Sequence, residues 1–524
     1  MDIPGKKRVI IFFSVLIAAG LAVRLLYILP PVNIESDSAV FLLMAKHISE
    51  LREFPAYMWL AHYSGTLLCY VTAAMFKLFG MSIAAYYSTA IMVSCLWVLS
   101  AFILAKRSLD RAGTIYALIL VLIPPSQVVI CSMECGSVNP ATLVFGSLAL
   151  LLVMKCREKK APNVSISYAL LGVTAGMGLW LSPAMMPFIL TILTVLIAED
   201  HAGFFRRQYF YLFALGFTAG YLPAIIYNMQ YPNATLFRAL GRVLKLDRSV
   251  LASSSNMKEI IMSRIWWRIS TVPAALAKIP ALFFAASGII NTALFFISAA
   301  WVSMKIFIRP SPGKKTENIG IPVIYILWFS LCYAFLIGIN RLRYVIPLYV
   351  VFPLIAGSFL SAVRNRSKIV ATVLISVIIL YNGCDNIYAF VNREYRHYSE
   401  LSGWLLPRKI FYGYSDYSTA YAVTFYSREK ILISPTLYHP TFYDRKPEYT
   451  AAVRKAEGAA YIIDERLCAS SSGALEEALK RSNVGYKKDR FEEFVIYHGL
   501  SRKVYPEDVN MERLDAKQDR KAQR

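Results

Sequence analysis

Two acids, Glu35 and Asp37, stand at the start of a helical pattern that follows the first apolar segment of the chain. A carboxylate held at a membrane surface and facing a cavity can take the proton from a hydroxyl group, which is general-base chemistry. Asp37 is also a good helix N-cap, as are Ser36 and Ser38, because a side-chain oxygen there accepts a backbone N–H of the first turn. The residue types alone leave both interpretations of Asp37 open.

Polar and aromatic side chains in nearby segments are candidates for substrate binding. Lys46, His62 and Tyr63 belong to the same stretch as Asp37, and Glu134 lies in the next predicted outer loop. A cation or an imidazole can contact a sugar or a phosphate, and a tyrosine ring can stack on a sugar face. Each also has a simpler interpretation, as an incidental interfacial residue, a member of an aromatic belt or a solvated loop acid.

Arginines at the predicted outer face form a second set of candidates. Arg341 and Arg343 lie on a turn between two apolar segments, where the positive-inside bias makes basic residues uncommon. We predict that this pair binds an anionic partner, with anchoring in lipid headgroups as the alternative. Arg24, near the outer end of the first apolar segment, is predicted to extend its guanidinium to the membrane surface, with phosphate binding as the alternative.

The elements that must position these residues are membrane spans. The 524 residues are 57% hydrophobic, and apolar runs of about 20 residues, the length that crosses a bilayer, recur to about residue 390. The stretch 64–80 is predicted to be a re-entrant or surface helix, with a complete crossing as the alternative. The predicted spans are 8–29, 83–105, 113–132, 140–155, 167–181, 183–197, 209–227, 280–306, 320–338, 344–362 and 368–386.

The formal net charge of +23 does not indicate nucleic acid, because the lysines and arginines occur in short clusters between apolar runs. Such clusters are typical of cytoplasmic loops. With the N-terminus inside, this rule places loops 30–63, 131–139 and 230–280, and the chain after about residue 386, on the outer face. We therefore predict that the chemistry takes place outside.

The C-terminal part of the chain has the pattern of a soluble α/β domain. Strand, helix and strand patterns follow one another at 409–435 and again at 459–498. The predicted fold is a polytopic α-helical membrane protein with about 11–13 membrane segments and a C-terminal soluble α/β domain. The predicted boundaries are 1–388 for the transmembrane domain, 389–506 for the α/β domain and 507–524 for a charged, disordered tail.

Several pieces of the sequence, in the same order along most of the chain, resemble bacterial GT-C glycosyltransferases. These are multi-pass enzymes related to protein O-mannosyltransferases and to the aminoarabinose transferase of lipid A. The pieces are Arg24 and Tyr27, Pro30-Pro31, Ser36-Asp37-Ser38, Met44 to Ile48, Glu53-Phe54-Pro55, Tyr57 to Trp59, Tyr63 to Leu67, Gly178 to Pro183, Tyr227 to Thr235, Arg343 to Leu348, Ser415 to Tyr421 and Thr424 to Ser427.

The resemblance implies an inverting transferase that uses a polyprenyl-phosphate-linked sugar on the outer face of a bacterial cytoplasmic membrane. It implies Asp37 as the base, an acceptor that is a glycan, a lipid or a protein, and contact with membrane lipids but not nucleic acid. It implies no required cofactor and leaves a divalent metal open. Relatives commonly carry an acidic pair in the first loop, where this chain has Ser38, so Glu35 is a second catalytic candidate.

Two other functions fit the same spans. A transporter or flippase of a lipid-linked glycan is one, although transporters usually show inverted repeats, and none is visible here. A non-catalytic relative that binds polyprenyl phosphate or a glycan is the other, because the family's acidic or basic residue near Tyr63 to Tyr70 is also missing, where Gly65, Thr66 and Leu68 stand.

Overall fold

The structure, a computed structural model, describes residues 4–29, 34, 36–158, 163–200, 205, 208–231, 257–308, 318–337, 342–437, 444–467 and 469–509. The chain forms two compact units. The first contains residues 1–29, 62–67 and 87–393, and the second contains residues 30–61, 68–86 and 394–524. The second unit therefore combines the first predicted outer loop with the C-terminal part of the chain.

Helices make up the first unit. They are α1 (Pro4–Leu26), α4 (Ile83–Ser108, whose first turn belongs to the second unit), α5 (Arg111–Leu122), α6 (Ser126–Met133), α7 (Asn139–Cys156), α8 (Val164–Leu181), α9 (Met186–Asp200), α10 (Gln208–Gln230), α11 (Met257–Ile308), α12 (Gly320–Cys332), α13 (Phe352–Arg366) and α14 (Lys368–Val391). Short 3-10 turns at Pro183–Met185, Leu342–Tyr344 and Ile346–Val350 separate several of them.

Six helices among the described residues are long and apolar enough to cross a membrane. A seventh span results if α5 and α6, which are bent by 72° at their break, count as one. Shorter apolar helices at 14–26, 67–79, 183–199 and 320–335 accompany them. The predicted fold class, a polytopic helical membrane protein with a C-terminal sheet-containing region, is confirmed.

The predicted span 344–362 differs from the observed helix, whereas the stretch 64–80, predicted to be a re-entrant or surface helix, contains a helix too short to cross a membrane. The segment predicted as 344–362 begins with 3-10 turns and becomes α-helical only at Phe352, because Pro347 and Pro353 lack the N–H that a helix interior needs. The stretch predicted as 64–80 contains α3 (Leu67–Phe79), which belongs mainly to the second unit. Its 13 residues extend about 20 Å, well short of a hydrocarbon core of about 30 Å.

Helices α8 and α10 pack so closely that their contact surface requires glycine. A Cβ on Gly172 or Gly176 would lie 2.1 or 2.2 Å from a backbone oxygen of α10. A Cβ on Gly216 or Gly220 would lie 2.2 or 2.4 Å from a backbone oxygen of α8. Small residues four apart on both helices let membrane helices approach backbone to backbone. In lipid no hydrophobic effect drives two helices together, so this close van der Waals packing is what stabilises their association.

Arg24 lies inside the first unit rather than at the membrane surface. Only 2% of the residue is exposed, and its Nε donates to Ser94 Oγ at 2.6 Å. Its terminal nitrogens donate to the carbonyls of Val121 and Leu122, at 3.0 and 2.9 Å, in the last turn of α5. The prediction that Arg24 extends to the surface is wrong, because the helix break after α5 offers carbonyls that no backbone N–H can satisfy.

Helix α14 satisfies the rest of the same break, which contains Pro124 and Pro125. Asn382 donates to the carbonyl of Ile123 at 2.8 Å, Asn386 donates to the carbonyl of Pro124 at 2.8 Å, and Asp385 accepts from the N–H of Ser126 at 2.7 Å. A broken helix survives at membrane depth only where its freed backbone groups find partners. Here four side chains, including Arg24, supply them.

The second unit contains a five-stranded mixed sheet. Two short strands earlier in the chain, β1 (Tyr57–Met58) and β2 (Ala61–Gly65), form a separate pair. The strands of the five-stranded sheet are β3 (Tyr412–Tyr414), β4 (Leu432–Ser434), β5 (Ala460–Asp464), β6 (Lys487–Phe491) and β7 (Phe494–His498), in the order β4-β3-β5-β7-β6. The first three strands are parallel, and β7 joins β5 and β6 antiparallel. Helices α15 (Tyr398–Leu405), α16 (Tyr417–Tyr426), α17 (Pro447–Lys455) and α18 (Ala469–Arg481) complete this part.

The first-loop helix α2 (Ser36–Ser49) packs against α16 in this unit. Asp37 at the start of α2 contacts Tyr417 at the start of α16, and His47 near the end of α2 contacts Glu429, just after α16. The two helices therefore run in the same direction. Residues Ser38 to Ile48 of α2 are all buried, so this helix is a core element.

Candidate active site

The carboxylate of Asp37 is the centre of a small polar site in the second unit. The hydroxyl of Tyr417 donates to Asp37 Oδ1 at 2.6 Å, and a terminal nitrogen of Arg445 lies 3.6 Å from the same oxygen. Arg445 Nε also donates to the Tyr417 hydroxyl at 3.2 Å. The Asp37 side chain is 30% exposed, so the carboxylate is held by donors and still accessible.

Local structure explains why these donors point at Asp37. Asp416 caps α16 by accepting from the backbone N–H groups of Ser418 and Thr419, at 2.9 and 3.1 Å. This fixes Tyr417 at the first turn of the helix. The hydroxyl of Tyr421 accepts from the backbone N–H groups of Arg445 and of the residue after it, at 2.6 and 3.2 Å. The two donors of the site, Tyr417 and Arg445, are therefore carried by backbone that is held in place by hydrogen bonds.

The site lies at the end of the sheet where α/β proteins usually bind ligands. The chain leaves β3 through α16 to β4 on one side, and returns through α17 to β5 on the other side of β3. This reversal makes the carboxyl ends of β3 and β5 a topological switch point. Tyr417 follows the carboxyl end of β3, so Asp37 is held at this edge by a segment of the chain 380 residues away.

A second polar cluster joins the far end of α2 to the region after α16. Glu429 accepts from His47 at 2.8 Å, from Tyr449 at 2.6 Å and from Arg52 at 3.0 Å, and it also pairs with Lys46. Burial opposes ionisation of Glu429, but the hydrogen bonds from His47, Lys46 and Tyr449 outweigh it and lower the pKa of its carboxyl. Glu429 is therefore an anion surrounded by donors.

Glu53 extends this cluster on the other side of His47. It accepts from His47 Nδ1 at 3.1 Å, from the Trp59 indole at 2.9 Å and from Lys446 at 3.0 Å. Burial alone would lower the pKa of His47, but its hydrogen bonds to Glu429 and Glu53 raise it above the usual value. The carboxylates of Glu429 and Glu53 therefore favour the charged form of the His47 imidazole. The cluster is a network of ion pairs that links the first-loop part of the second unit to its C-terminal part.

The other predicted site residues fall into three groups. Lys46 is in the second unit with Asp37, but nine positions along α2, which is about 14 Å, and it pairs with Glu50 and Glu429. Its role in substrate binding stays a prediction. Glu35 and Arg341 lie outside the described residues.

The third group is in the first unit. His62 Nδ1 lies 2.6 Å from the hydroxyl of Tyr227 on α10, and the neighbouring Tyr63 is 39% exposed. Glu134 ends α6, and Arg343 lies in a 3-10 turn with its guanidinium 5.5 Å from the ring of Tyr344. His62 therefore contacts Tyr227, which begins one of the segments that resemble the GT-C family. The substrate-binding roles of these residues stay predictions.

Sequence reasoning did not single out Tyr417, Arg445 or Glu429. Tyr417 was inside the tail segment quoted for the family resemblance, and the signal that could have found it is a strand followed at once by Asp416 as an N-cap. No sequence pattern links Arg445 to Asp37. Within the described part of the chain, no group of three or more His, Cys, Asp or Glu residues could hold a metal ion.

Comparison with known proteins gives a family match over part of the chain and a fold over most of it. Residues 65–227 match the model of the family described as dolichyl-phosphate-mannose-protein mannosyltransferase. The structure of ArnT from Cupriavidus metallidurans bound to undecaprenyl phosphate superposes with a TM-score of 0.63 at 11% identity, covering 94% of this chain and 98% of that one. The chain has the GT-C fold. A search of curated proteins gives no significant match.

Other solved GT-C proteins agree. An Archaeoglobus fulgidus oligosaccharyltransferase in complex with Zn and sulfate gives a TM-score of 0.57 at 14% identity, covering 92% of this chain and 72% of that one. AglB from Archaeoglobus fulgidus, in complex with an inhibitory peptide and a dolichol-phosphate, gives 0.52 at 12% identity, with 94% and 74% covered. The resemblance to GT-C proteins drawn from the sequence is confirmed at the level of the fold.

Proposed function

We propose that this protein is an inverting glycosyltransferase that moves a sugar from a polyprenyl-phosphate donor to an envelope glycan, lipid or protein at the outer face of a bacterial cytoplasmic membrane. The observation that carries this proposal is the accessible Asp37 carboxylate, held by Tyr417 and Arg445 in a chain with the GT-C fold. The donor class is supported by the matched structures, one bound to undecaprenyl phosphate and another to a dolichol-phosphate.

In the proposed reaction Asp37 takes the proton of an acceptor hydroxyl while the hydroxyl oxygen attacks the anomeric carbon of the donor. The bond between that carbon and the phosphate oxygen breaks, and the lipid phosphate leaves with the electron pair. Attack opposite the leaving group inverts the configuration. A hydroxyl is a poor nucleophile at neutral pH, so a placed base is needed, whereas the phosphate needs only cationic or hydrogen-bonding support.

The remaining roles are part of the same proposal. Arg341 and Arg343 bind the donor phosphate, and Glu134, His62, Tyr63 and Lys46 bind donor or acceptor. Glu35 is the alternative base. The scheme needs no cofactor, and transfer measured with and without EDTA tests whether a divalent metal assists.

The experiment that tests the base is Asp37→Asn. Asn keeps the size of the side chain and an oxygen that can accept the Tyr417 hydrogen bond, so the packing of α2 should survive. It cannot take a proton at neutral pH, and loss of a general base typically costs about a hundredfold to ten-thousandfold in rate. The assay follows radiolabelled sugar from a panel of undecaprenyl-phosphate hexoses and pentoses to envelope extracts, with the full chain in proteoliposomes.

Controls separate the possible outcomes. Glu50→Gln, in the turn directly after the same helix, should leave the rate unchanged, because that side chain is 39% exposed and its ion pairs lie at the other end of α2. A dead Glu35→Gln beside a fully active Asp37→Asn would move the base to Glu35. Full activity in both variants would refute catalysis by this loop, and an inactive parent with every donor would favour a transporter or a non-catalytic binding protein.

A further inference from the structure

We propose that Tyr417 and Arg445 are positioning residues for Asp37, so that the C-terminal α/β part of the chain takes part in the reaction through the carboxylate it orients. This inference rests on the proposed function for its catalytic meaning. Its physical content, a carboxylate oriented by two donors from another segment, can be tested whether or not transfer is observed.

The three side chains form a directed chain of hydrogen bonds. Arg445 Nε donates to the Tyr417 oxygen at 3.2 Å, and the Tyr417 hydroxyl donates its own proton to Asp37 Oδ1 at 2.6 Å. An ionised carboxylate only accepts, so the direction of the second bond is fixed. A phenol that accepts from a cation becomes a stronger donor, and hydrogen bonds in such a chain reinforce one another.

The protonation state of Tyr417 agrees with this direction. Burial raises the pKa of Tyr417, and the negative charge of Asp37 raises it further, while Arg445 works in the opposite sense with a smaller effect. The hydroxyl therefore keeps its proton at any physiological pH. Tyr417 acts on Asp37 as a hydrogen-bond donor and is not itself an acid or a base in the proposed reaction.

The surrounding structure restricts both donors to one arrangement. The Tyr417 ring meets the Tyr421 ring edge-on, with 5.2 Å between centroids, and the Arg445 guanidinium lies 5.8 Å from the Tyr417 ring centre. Asp416 and the Tyr421 hydroxyl hold the backbone on either side, as described above. A base must be held close to its productive geometry, and that precision comes from neighbours whose own conformations are locked.

A positioning role predicts a specific kinetic effect. Tyr417→Phe removes only the hydroxyl and keeps the ring, so α16 should pack as before. Misplacement of a catalytic group by about 1 Å can cost about a hundredfold in rate, so we expect roughly a tenfold to hundredfold fall in kcat. The KM for the lipid-linked donor should not change, because the Tyr417 hydroxyl is directed at Asp37.

Arg445 supplies the second arm of the test. Arg445→Met should lower kcat as well, and Arg445→Lys should recover part of it, because a lysine keeps the charge and one donor. Tyr412→Phe is the matched control, since this tyrosine lies on β3 of the same sheet, is 37% exposed and is not one of the residues placed around Asp37. It should keep the parental kcat.

A double mutant decides whether Tyr417 acts through Asp37. If it does, Tyr417→Phe should cause little further loss when Asp37 is already Asn, because residues that act as a unit are not additive. An equal loss in both backgrounds would overturn the inference, as would a parental kcat in Tyr417→Phe alone.

Infrared spectroscopy tests the orientation without activity. The difference spectrum of the full-length parent minus Asp37→Asn isolates the Asp37 carboxylate band, and Tyr417→Phe should move that band because a donated hydrogen bond is lost. An unmoved band overturns the inference. A moved band in a protein that transfers no sugar from any donor would support the oriented carboxylate and refute only the transferase.

Discussion

Glu429 offers the sharpest test of how the second unit holds α2 in place. Its side chain is 12% exposed and receives His47 and Lys46, each 6% exposed, together with Tyr449 and Arg52. Its backbone has a φ of 66°, the left-handed region that disfavours any residue with a Cβ. The hydrogen bonds and ion pairs of the Glu429 carboxylate therefore have to stabilise the unit by more than this backbone strain costs.

The perturbation is Glu429→Gln, which keeps the shape and removes the charge. Breaking a buried ion pair by removing one partner costs about 3–5 kcal/mol. Lys46 keeps Glu50 and His47 keeps Glu53, so we expect about 2–3 kcal/mol after allowing for these partners. In a domain of this size that lowers the unfolding temperature by roughly 4–12 °C. Intrinsic tryptophan fluorescence of the full chain in detergent follows the transition.

The control is Glu477→Gln in the same unit. That carboxylate pairs with Arg481 on the helix surface and is 69% exposed, so its removal should cost at most about 0.5 kcal/mol. Adding Lys46→Met to Glu429→Gln should recover part of the loss, because it removes the cation left buried. Equal unfolding temperatures for Glu429→Gln and Glu477→Gln would refute the reasoning.

Three further predictions follow. The pKa of His47 is raised by its hydrogen bonds to Glu429 and Glu53, which outweigh the effect of burial. The charged imidazole therefore contributes stability that is complete below about pH 6.5 and is lost as the pH rises through the pKa of the folded state. The unfolding temperature should fall above about pH 6.5 in the parent and not in His47→Gln. Arg24→Met should reduce the yield of folded protein because it leaves the carbonyls of Val121 and Leu122 without donors, whereas Arg364→Met on the exposed end of α13 should not, and equal yields would contradict this. A reporter fused after Val391 should be active only outside the cytoplasm, and an active cytoplasmic reporter there would reverse the proposed orientation.

The sequence predicted the elements that depend on local pattern. Strands predicted around 409–415, 430–435, 459–464 and 493–498 appear as β3, β4, β5 and β7, and the helix predicted from Asp416 appears as α16. Each has a strong local signal, either a short apolar run or a cap. The weaker β6 was missed, because Lys487 to Phe491 is mostly charged and its side chains are largely exposed.

Features that depend on contacts between distant segments could not be predicted. Asp37 was predicted as a site residue, and that role stays a prediction. The choice between an N-cap and a cavity-facing carboxylate depends on its contact with Tyr417, which no local pattern connects to it. The error at Arg24 has the same origin. A guanidinium in an apolar helix normally extends to the surface, and only the broken helix after α5 provides a better set of acceptors inside.

The charged residues near the end of α2 are paired with a residue far away in the sequence. Lys46 and His47 are buried in the finished unit, and their principal partner, Glu429, is 383 and 382 residues later in the chain. Buried charges without partners are costly, so the buried position of α2 depends on the partners that the α/β part supplies. The same packing brings Tyr417 to Asp37. If Asp37 is the base, the site therefore becomes complete only with the last part of the chain, and the α/β part is required for activity even if it never touches a substrate.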